Sequence, residues 1–423
     1  MLIDFSVANY RSIKTQQSLS LVKGTGKELE ENFSESENSL PNVLKSAAIY
    51  GANGAGKSNI IMALNTMQSI VLHSATRGQA NDKLPLTPFL LDKQSSFLPS
   101  EFEVVIYTEG VRYQYGFTAT ENKVLEEWLF AFPHGRSQTL FQRAWDHKDL
   151  SYKWTFGKNL TGQKALWQQS TRDNALFLST GVQLNSKDMR PVYDWFSNSL
   201  RICGIEGWDH EFTAKMCQNE ERKSKIVQFL KNAAVDVSDV KVQPSKFKVN
   251  LDELPAEMPD EIKKQVIDEF RDKEFLEIKF SHLNSDGGYT DLEFNDESDG
   301  TQKLFSLIGP WFDVLDKGRV IVVDELNNSL HPSLVRALVD LFHSSKTNPS
   351  DAQLVFTTHD SSIMASNTFR RDQLWFCEKD IEGTTLYPLT KFSIRSREMH
   401  DLNKIYLSGK LGAVPFIKND IFI

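Results

Sequence analysis

The chain has 423 residues, of which 40% are hydrophobic and 25% are charged, and its formal net charge is −8. This composition is that of a globular protein with a packed core, and the length predicts two or three structural units. The acidic balance excludes a protein whose whole surface wraps nucleic acid, although a local basic groove stays compatible with it.

Cysteine content and hydropathy bear on the compartment. Only three cysteines occur, a sparse set that indicates neither a disulfide framework nor a zinc site and suits a reducing cytoplasm. The sequence has no apolar run long enough to predict a membrane span. Residues Met1–Val7 alternate apolar and polar side chains without a basic region, which indicates a first β-strand and not a signal peptide. We therefore expect a cytoplasmic protein with no membrane partner.

A strand, a glycine-rich loop and a helix follow one another near residue 50. Ala47–Tyr50 is a short apolar run, and the glycine-rich loop is Gly51–Ser58. Asn59–Val71 then carries apolar residues at helical spacing. This order is the context that a phosphate-binding loop requires.

Strand-like segments rich in aromatic residues come next. Phe102–Tyr107 and Val111–Phe117 form a predicted hairpin that turns at Glu109–Gly110. Two further strands are predicted at Glu127–Phe132 and Tyr152–Phe156. The region at about 160–275 is more helical, and it includes an amphipathic helix predicted at Pro259–Asp272.

Apolar strands and a helix are predicted in the last third of the chain. Leu276–Phe280 is strand-like, and Arg319–Val323 and Gln353–Thr358 are apolar runs on either side of the helical segment Leu334–His343. Apolar runs of this kind are typical of parallel strands that are buried on both faces. Strand, helix and strand in this order imply a right-handed crossover within one parallel sheet.

The glycine-rich loop meets the pattern G-x-x-x-x-G-K-[ST] in full, at Gly51, Gly56, Lys57 and Ser58. Glycines allow a tight turn in which several backbone N–H groups point at phosphate oxygens, and Asn53 and Gly54 belong to that turn. Lys57 would place a positive charge on the β- and γ-phosphates, and the Ser58 hydroxyl is the expected magnesium ligand. The loop therefore predicts a nucleotide site that takes ATP with Mg²⁺.

Acidic and histidine side chains follow the two apolar strands. Asp324 and Glu325 come directly after Val323, and His359 comes directly after Thr358. The carboxyl ends of strands in an open α/β sheet are where ligands bind. We expect Asp324 to hold Mg²⁺, directly or through water, and Glu325 to orient and polarise the attacking water. His359 is expected to reach the γ-phosphate and sense hydrolysis.

A second anion-binding helix start is predicted at Ser298–Gly300. A serine and a glycine that open a helix offer free N–H groups to an anion. One chain does not need two such sites for one nucleotide, but a dimer does if each subunit lends Ser298 and Gly300 to the γ-phosphate held by the other. The sequence thus predicts a homodimer or a higher oligomer with composite ATP sites.

In their order, these motifs resemble those of ABC-type ATPases. More narrowly, the chain resembles the SMC/RecF/OLD branch, in which a first strand precedes an Asn-[FY]-[RK]-Ser motif. Here that motif is Asn9–Ser12, and the resemblance implies that Arg11 lies near the nucleotide.

Within this branch, the sequence resembles the RloA/AbiLi-like ATPases of abortive-infection systems. The segments that carry the resemblance are Tyr50–Asn59, Asp324–Pro332, Phe356–Asp360 and Gly412–Phe416. The first of them adds Asn59 to the expected nucleotide-binding residues. Residues from about 130 to 275 contribute little to the resemblance.

The resemblance implies an α/β fold, namely an ABC-type P-loop ATPase head with a parallel core sheet, an antiparallel β-subdomain and a mainly helical insertion lobe. The expected segments are residues 1–125 and 276–423 for the head and 126–275 for the lobe. Such a head would hydrolyse ATP, dimerise around it and control a separately encoded effector, often a nuclease, in defence against phage. A phage-derived trigger or a nucleic acid is a further candidate partner.

Two departures from the ABC pattern bear on the rate of hydrolysis and on the dimer. Glu297 and Asp299 replace the first and third residues of the usual Leu-Ser-Gly-Gly-Gln, and His331 stands where many ABC ATPases have Asp. Added negative charge weakens the attraction for a γ-phosphate, so turnover is expected to be slow. Communication across the dimer is expected to differ in detail.

Other functions are weaker interpretations of the sequence. The main alternative is a RecF/SMC-like ATPase of DNA repair or chromosome maintenance. It needs a basic groove, for which the candidates are Lys241, Lys246 and Lys248, or Arg370 and Arg371 with Arg395 and Arg397. A fused nuclease domain is not expected, because too few residues follow His359, and the Asn-Lys-x-Asp pattern of GTPases is absent from the sequence.

Overall fold

The computed structural model of the chain describes residues 1–35, 40–204, 207–246, 258–259, 262–263, 274–365 and 367–415. Within them the strands are β1 Leu2–Ala8, β2 Gln17–Ser20, β3 Phe33–Ser34, β4 Val43–Leu44, β5 Ser46–Gly51, β6 Ser100–Thr108, β7 Val111–Ala119, β8 Val124–Phe132, β9 Gln138–Asp146, β10 Ser151–Phe156, β11 Leu200–Cys203, β12 Asp239–Lys246, β13 Glu274–Leu283, β14 Tyr289–Glu293, β15 Val320–Val323, β16 Gln353–Thr358, β17 Leu374–Asp380 and β18 Gly383–Pro388. The helices are α1 Lys57–His73, α2 Lys164–Ser170, α3 Phe177–Gln183, α4 Arg190–Asp194, α5 Glu211–Cys217, α6 Glu220–Asn232, α7 Asp299–Lys317, α8 Pro332–His343 and α9 Leu402–Leu407. Most of the helix predicted at Pro259–Asp272, Lys248 and Phe416 lie outside the described residues.

The central sheet has the strand order β11-β15-β16-β5-β17-β18. Its strands are parallel, except that β18 returns antiparallel to β17. Every residue of β5, β15 and β16 is buried, as expected of strands covered on both faces. The parallel pairing of β15 with β16 confirms that these two predicted strands lie in one parallel sheet. The carboxyl ends of β5, β15 and β16 lie side by side at one edge of this sheet.

The second large sheet is antiparallel, with the order β10-β9-β8-β7-β6-β1-β2. Buried and more exposed residues alternate along β6, which indicates that one face packs on the core. The predicted hairpin between β6 and β7 is confirmed: Glu109 and Gly110 both have positive φ, as a two-residue hairpin turn requires.

The chain divides into two compact units. The first comprises Met1–Ile205, Val314–Asn328 and Pro332–Ile423, and the second comprises Glu206–Asp313 and Ser329–His331. These boundaries differ from those predicted for the lobe, because β8 to β10 continue the antiparallel sheet and β11 joins the parallel one. A four-residue strand such as β11 is identified by its hydrogen-bonded neighbour, which the sequence does not display.

The second unit contains a three-stranded antiparallel sheet, in the order β12-β13-β14, together with α5, α6 and most of α7. Aromatic side chains form part of its interior: Phe280 lies edge-on to Phe305 with 5.2 Å between ring centroids. Strand β14 is exposed along its whole length. Among the described residues of the chain, no helix combines the length and apolar character that a membrane crossing requires.

A fully buried ion pair joins two neighbouring strands of the antiparallel sheet. Glu127 of β8 lies opposite Arg143 of β9. Arg143 Nη2 lies 2.9 Å from Glu127 Oε2, and neither side chain is exposed to solvent. The Glu127 carboxylate also accepts hydrogen bonds from the N–H groups of Phe177 and Leu178 at the start of α3. The pair therefore fastens α3 to the sheet.

A buried histidine links helix α8 to the central sheet. His343 Nε2 lies 2.8 Å from Ser46 Oγ and 3.2 Å from the side-chain amide of Gln373. Burial, with a smaller contribution from the nearby Lys45, lowers the pKa of His343 to about 3. The ring is therefore neutral near neutral pH and serves as a hydrogen-bonding group of the interior.

Candidate functional site

The glycine-rich loop connects β5 to α1 and needs its glycines for two different reasons. Gly56 precedes the helix with φ of 101°, and a Cβ added there would lie 2.1 Å from Thr384 Oγ1. At Gly51 a Cβ would lie 2.4 Å from the backbone oxygen of Cys377 on the adjacent strand. Side chains at these positions would force the loop away from β17 and β18.

Hydroxyl and amide groups support the loop from outside. Ser12 Oγ accepts from the Asn59 side-chain amide at 2.6 Å and lies 2.7 Å from Thr384 Oγ1. Thr384 in turn donates to the Ala55 carbonyl at 3.0 Å. The serine of the Asn9–Ser12 motif thus contacts the surroundings of the loop, and Asn59 is engaged by that serine.

Lys57 lies within the loop and is 5% exposed. Its ammonium donates to the carbonyls of Gly51 at 2.8 Å and Ala52 at 3.1 Å. Burial lowers the pKa of Lys57, while the neighbouring Glu325 and Asp324 act in the opposite direction. A cation held this way is available to phosphate oxygens without having to be ordered first.

A histidine connects this lysine to the predicted general base. Lys57 Nζ lies 3.4 Å from His359 Nδ1, and His359 Nε2 lies 3.1 Å from Glu325 Oε1. Because an ammonium only donates, Nδ1 must accept, which leaves the proton on Nε2 to be donated to the carboxylate. The structure thus brings Lys57, His359 and Glu325, from the ends of three elements, into one hydrogen-bonded chain.

Asp324 is 3% exposed and lies at the end of β15. Thr357 donates its hydroxyl to Asp324 Oδ1 at 2.5 Å, and the same hydroxyl accepts from the Glu325 N–H at 2.7 Å. Sequence reasoning missed this threonine. The signal that could have found it is a hydroxyl residue where an apolar one would normally complete a buried strand.

Asn327 was also missed by sequence reasoning. Its Oδ1 accepts from Thr358 Oγ1 at 2.8 Å and from the His359 N–H at 3.3 Å. Thr358 Oγ1 also accepts from the Asp360 N–H at 3.0 Å. The segment after β15 therefore fixes the backbone that carries His359.

The remaining predicted residues of the first unit are placed as follows. Asn53 and Gly54 are exposed at the tip of the loop, and Ser58 is half-buried in the first turn of α1. Arg11 is exposed, has φ of 48°, and donates from Nε to Tyr10 Oη at 3.2 Å. The guanidinium of Arg11 lies over the Tyr10 ring, 5.8 Å from its centroid.

Ser298 and Gly300 belong to the second unit. Ser298 directly precedes α7, and its Oγ accepts from the Thr301 N–H at 3.2 Å, so it caps this helix. Glu297 pairs with His282, with 2.5 Å between Oε1 and Nε2. Of the two acidic residues added at the signature, Glu297 therefore has a partner within the same unit.

The donor set of the first unit fits a magnesium ion held jointly with phosphates. Mg²⁺ in nucleotide sites takes one or two protein oxygens and completes its shell with phosphates and water. Ser58 and Asp324 supply a hydroxyl and a buried carboxylate of this kind. Among the described residues, no group of three or more His, Cys, Asp or Glu side chains is gathered for a metal.

A cavity of about 500 Å³ opens beside the loop. Its walls come from loop residues 52–55, the end of β17, Tyr387 of β18, Lys391 in the segment after β18, and Ala413–Val414. The Lys391 ammonium lies over the Tyr387 ring at 5.0 Å from its centroid.

Two of the basic residues considered for a DNA groove are engaged by other groups. Arg370 is 1% exposed and binds Asp372 and the carbonyls of Gly26 and Glu28. Lys241 is paired with Asp291 at 2.7 Å. Lys246, Lys248 and Arg397 have no described side chains. The structure therefore gives the DNA-groove alternative no support from Arg370 or Lys241.

The central parallel sheet carries a phosphate-binding loop after one strand, an Asp-Glu pair after a second and a histidine after the strand between them. These features define the fold of a P-loop ATPase head. The chain belongs to the family described as "AAA domain, putative AbiEii toxin, Type IV TA system", whose model matches residues 46–365. No curated protein matches the sequence.

Two solved structures are similar to the chain at low sequence identity. One is an Smc head bound to the C-terminal winged-helix domain of ScpA; it is 13% identical, with 92% of this chain and 97% of that chain covered and a TM-score of 0.44. The other is cbiO1 from Clostridium perfringens, part of the ABC transporter complex cbiONQ. It is 10% identical, with 65% of this chain and 98% of that chain covered and a TM-score of 0.26.

Proposed function

We propose that the chain is an ATP-hydrolysing switch that dimerises around two nucleotides. The observation that carries the proposal is the hydrogen-bonded chain from Lys57 through His359 to Glu325, beside the buried carboxylate of Asp324. A positive charge, a metal-binding carboxylate and a general base at adjacent strand ends are the groups that phosphoryl transfer to water requires.

Each residue has one task in this reaction. The loop amides and Lys57 would bind the phosphate oxygens. Ser58 and Asp324 would hold Mg²⁺, which would supply neutralisation of the charge that develops on the transferred phosphoryl group. Glu325 accepts a proton from the attacking water. At the same time the water oxygen bonds to the γ-phosphorus, and the bond from this phosphorus to the β,γ-bridging oxygen breaks. His359 keeps the Glu325 carboxylate oriented through its Nε2–H.

The second half of each site is proposed to come from another copy of the chain. Ser298 caps α7, a helix of 19 residues whose N-terminus carries partial positive charge. Placed against a γ-phosphate in a partner's loop, this helix start would stabilise the ATP-bound dimer and release it after hydrolysis. The Glu297 carboxylate next to Ser298 is engaged by the His282 ring within its own unit.

The biological role proposed is that of an anti-phage switch of the abortive-infection type, similar to the RloA/AbiLi-like ATPases. The family description names an AbiEii toxin and a toxin–antitoxin system, which supports a defence role for a member. The switch would act in the cytoplasm on a separately encoded effector, for which a nuclease is the foremost candidate.

ATP is expected to convert the Glu325→Gln variant from a smaller to a larger species, because this variant would bind ATP and not release it by hydrolysis. Light scattering with chromatography should show the dimer, or a multiple of it, with ATP and Mg²⁺ and not with ADP. Lys57→Ala is the matched control and should stay in the smaller form. An unchanged mass of Glu325→Gln at saturating ATP would contradict the dimer switch.

A further inference from the structure

We infer that Thr357 is a positioning residue for hydrolysis, which holds Asp324 and Glu325 in register through a single hydroxyl group. The inference rests on the proposed function and concerns the same site. Thr357 is fully buried in β16, and its side chain lies between the ends of two strands.

The hydroxyl makes two hydrogen bonds of opposite direction. The Glu325 N–H can only donate, so Thr357 Oγ1 accepts it, at 2.7 Å. The one proton of the hydroxyl is then donated to Asp324 Oδ1, at 2.5 Å. One hydroxyl group thus connects the Asp324 carboxylate to the backbone of Glu325.

The backbone of Glu325 needs this support. Its φ is 51°, a left-handed conformation that residues with side chains seldom adopt. Thr357 holds this backbone on both sides of Glu325. Its hydroxyl accepts from the Glu325 N–H, and its carbonyl accepts from the N–H of the next residue, Leu326, at 3.1 Å. The Glu325 carbonyl is bonded to the Asn328 N–H at 2.9 Å. Non-glycine residues in such conformations persist where the surrounding structure fixes them, often at functional sites.

The direction of the Glu325 side chain depends on this backbone conformation. Its carboxylate lies 3.1 Å from His359 Nε2 while the backbone of Glu325 is in the left-handed conformation. Loss of the hydroxyl would let the turn relax toward a commoner conformation and move the carboxylate away from the attacking water. Misplacement of a general base by about 1 Å reduces rates by up to about 100-fold.

The test compares Thr357→Val, which keeps the shape and removes the hydroxyl, with Thr357→Ser, which keeps the hydroxyl. We expect the kcat for ATP hydrolysis to fall about 10- to 100-fold in Thr357→Val and to recover in Thr357→Ser. The affinity for ATP in the absence of Mg²⁺, set by the loop, should stay that of the unmodified protein in both variants.

Thr180→Val is the matched control, because Thr180 is also a buried threonine with a hydrogen-bonded hydroxyl. That hydroxyl donates to the backbone carbonyl of Leu176, at 3.0 Å. It should lower thermal stability and leave kcat per folded molecule unchanged. The inference is overturned if Thr357→Val keeps the unmodified kcat, if serine does not restore it, or if ATP affinity falls in proportion. Turnover that also survives Glu325→Gln would instead overturn the proposed function.

Discussion

Replacing Glu325 by glutamine is expected to lower ATP turnover by at least about 100-fold, the usual contribution of a positioned general base. The amide keeps the size of the side chain and can still accept from His359 Nε2, but it cannot take a proton from water. Affinity for ATP should stay intact, since the Lys57 ammonium remains on the loop carbonyls. Phosphate release and equilibrium nucleotide binding measure the two effects separately.

A control for this variant is Glu382→Gln. Glu382 is an exposed carboxylate paired with Lys14 at 2.7 Å, and its removal should leave both turnover and binding unchanged. If Glu325→Gln hydrolyses ATP at the unmodified rate, Glu325 is not the base, and the assignment of this strand end fails.

Replacing Arg143 by methionine is expected to destabilise the first unit by about 3–5 kcal/mol, the cost of leaving one partner of a buried ion pair alone. The Glu127 carboxylate would keep the hydrogen bonds from the Tyr115 hydroxyl and from the N–H groups that begin α3, but it would lose the positive charge of Arg143. The Arg143 guanidinium also lies 5.1 Å from the centroid of the Tyr152 ring, a contact that methionine replaces only in part. Chemical denaturation followed by tryptophan fluorescence gives the free energy of unfolding.

The double variant Glu127→Gln/Arg143→Met should recover part of this loss, because it leaves no buried charge and the amide oxygen can still accept from Tyr115 and Leu178. The amide nitrogen cannot accept from the Phe177 N–H, so the recovery is incomplete. Lys83→Met is the matched surface control, since the Lys83–Glu121 pair is largely exposed and contributes little. A small effect of Arg143→Met, similar to that of the control, would show that the pair does not stabilise the sheet.

The core of the fold was predictable from local sequence. Runs such as Val320–Val323 are apolar throughout, and burial on both faces of a parallel strand leaves that pattern whatever the partners are. Glu127 and Arg143 show the limit: charged residues within a strand indicate solvent, and only the register of β8 on β9 shows that they bury each other. Strand β11 was missed for the same reason, because its neighbour comes from a distant part of the chain.

The candidate site shows the same division. Lys57, Asp324, Glu325 and His359 are marked by their place after a glycine loop or an apolar strand, and the structure brings three of them into one hydrogen-bonded chain. Thr357 and Asn327 act through backbone groups of their neighbours, and a sequence pattern carries no information on which N–H a side chain accepts from. The contact of Ser12 with Asn59 likewise depends on how the first strand lies beside α1.

Mixing two inactive variants tests most directly whether the ATP site is completed by a second copy of the chain. Glu325→Gln lacks the base but offers an intact Ser298, and Ser298→Ala lacks the signature serine but keeps Glu325. In a mixed dimer, one of the two sites combines the intact Glu325 of one copy with the intact Ser298 of the other. In an equal mixture half of the dimers are mixed, and each of these has one working site of two. The mixture should therefore regain up to about a quarter of the unmodified turnover. A mixture whose rate is only the mean of the two separate variants would contradict the composite site.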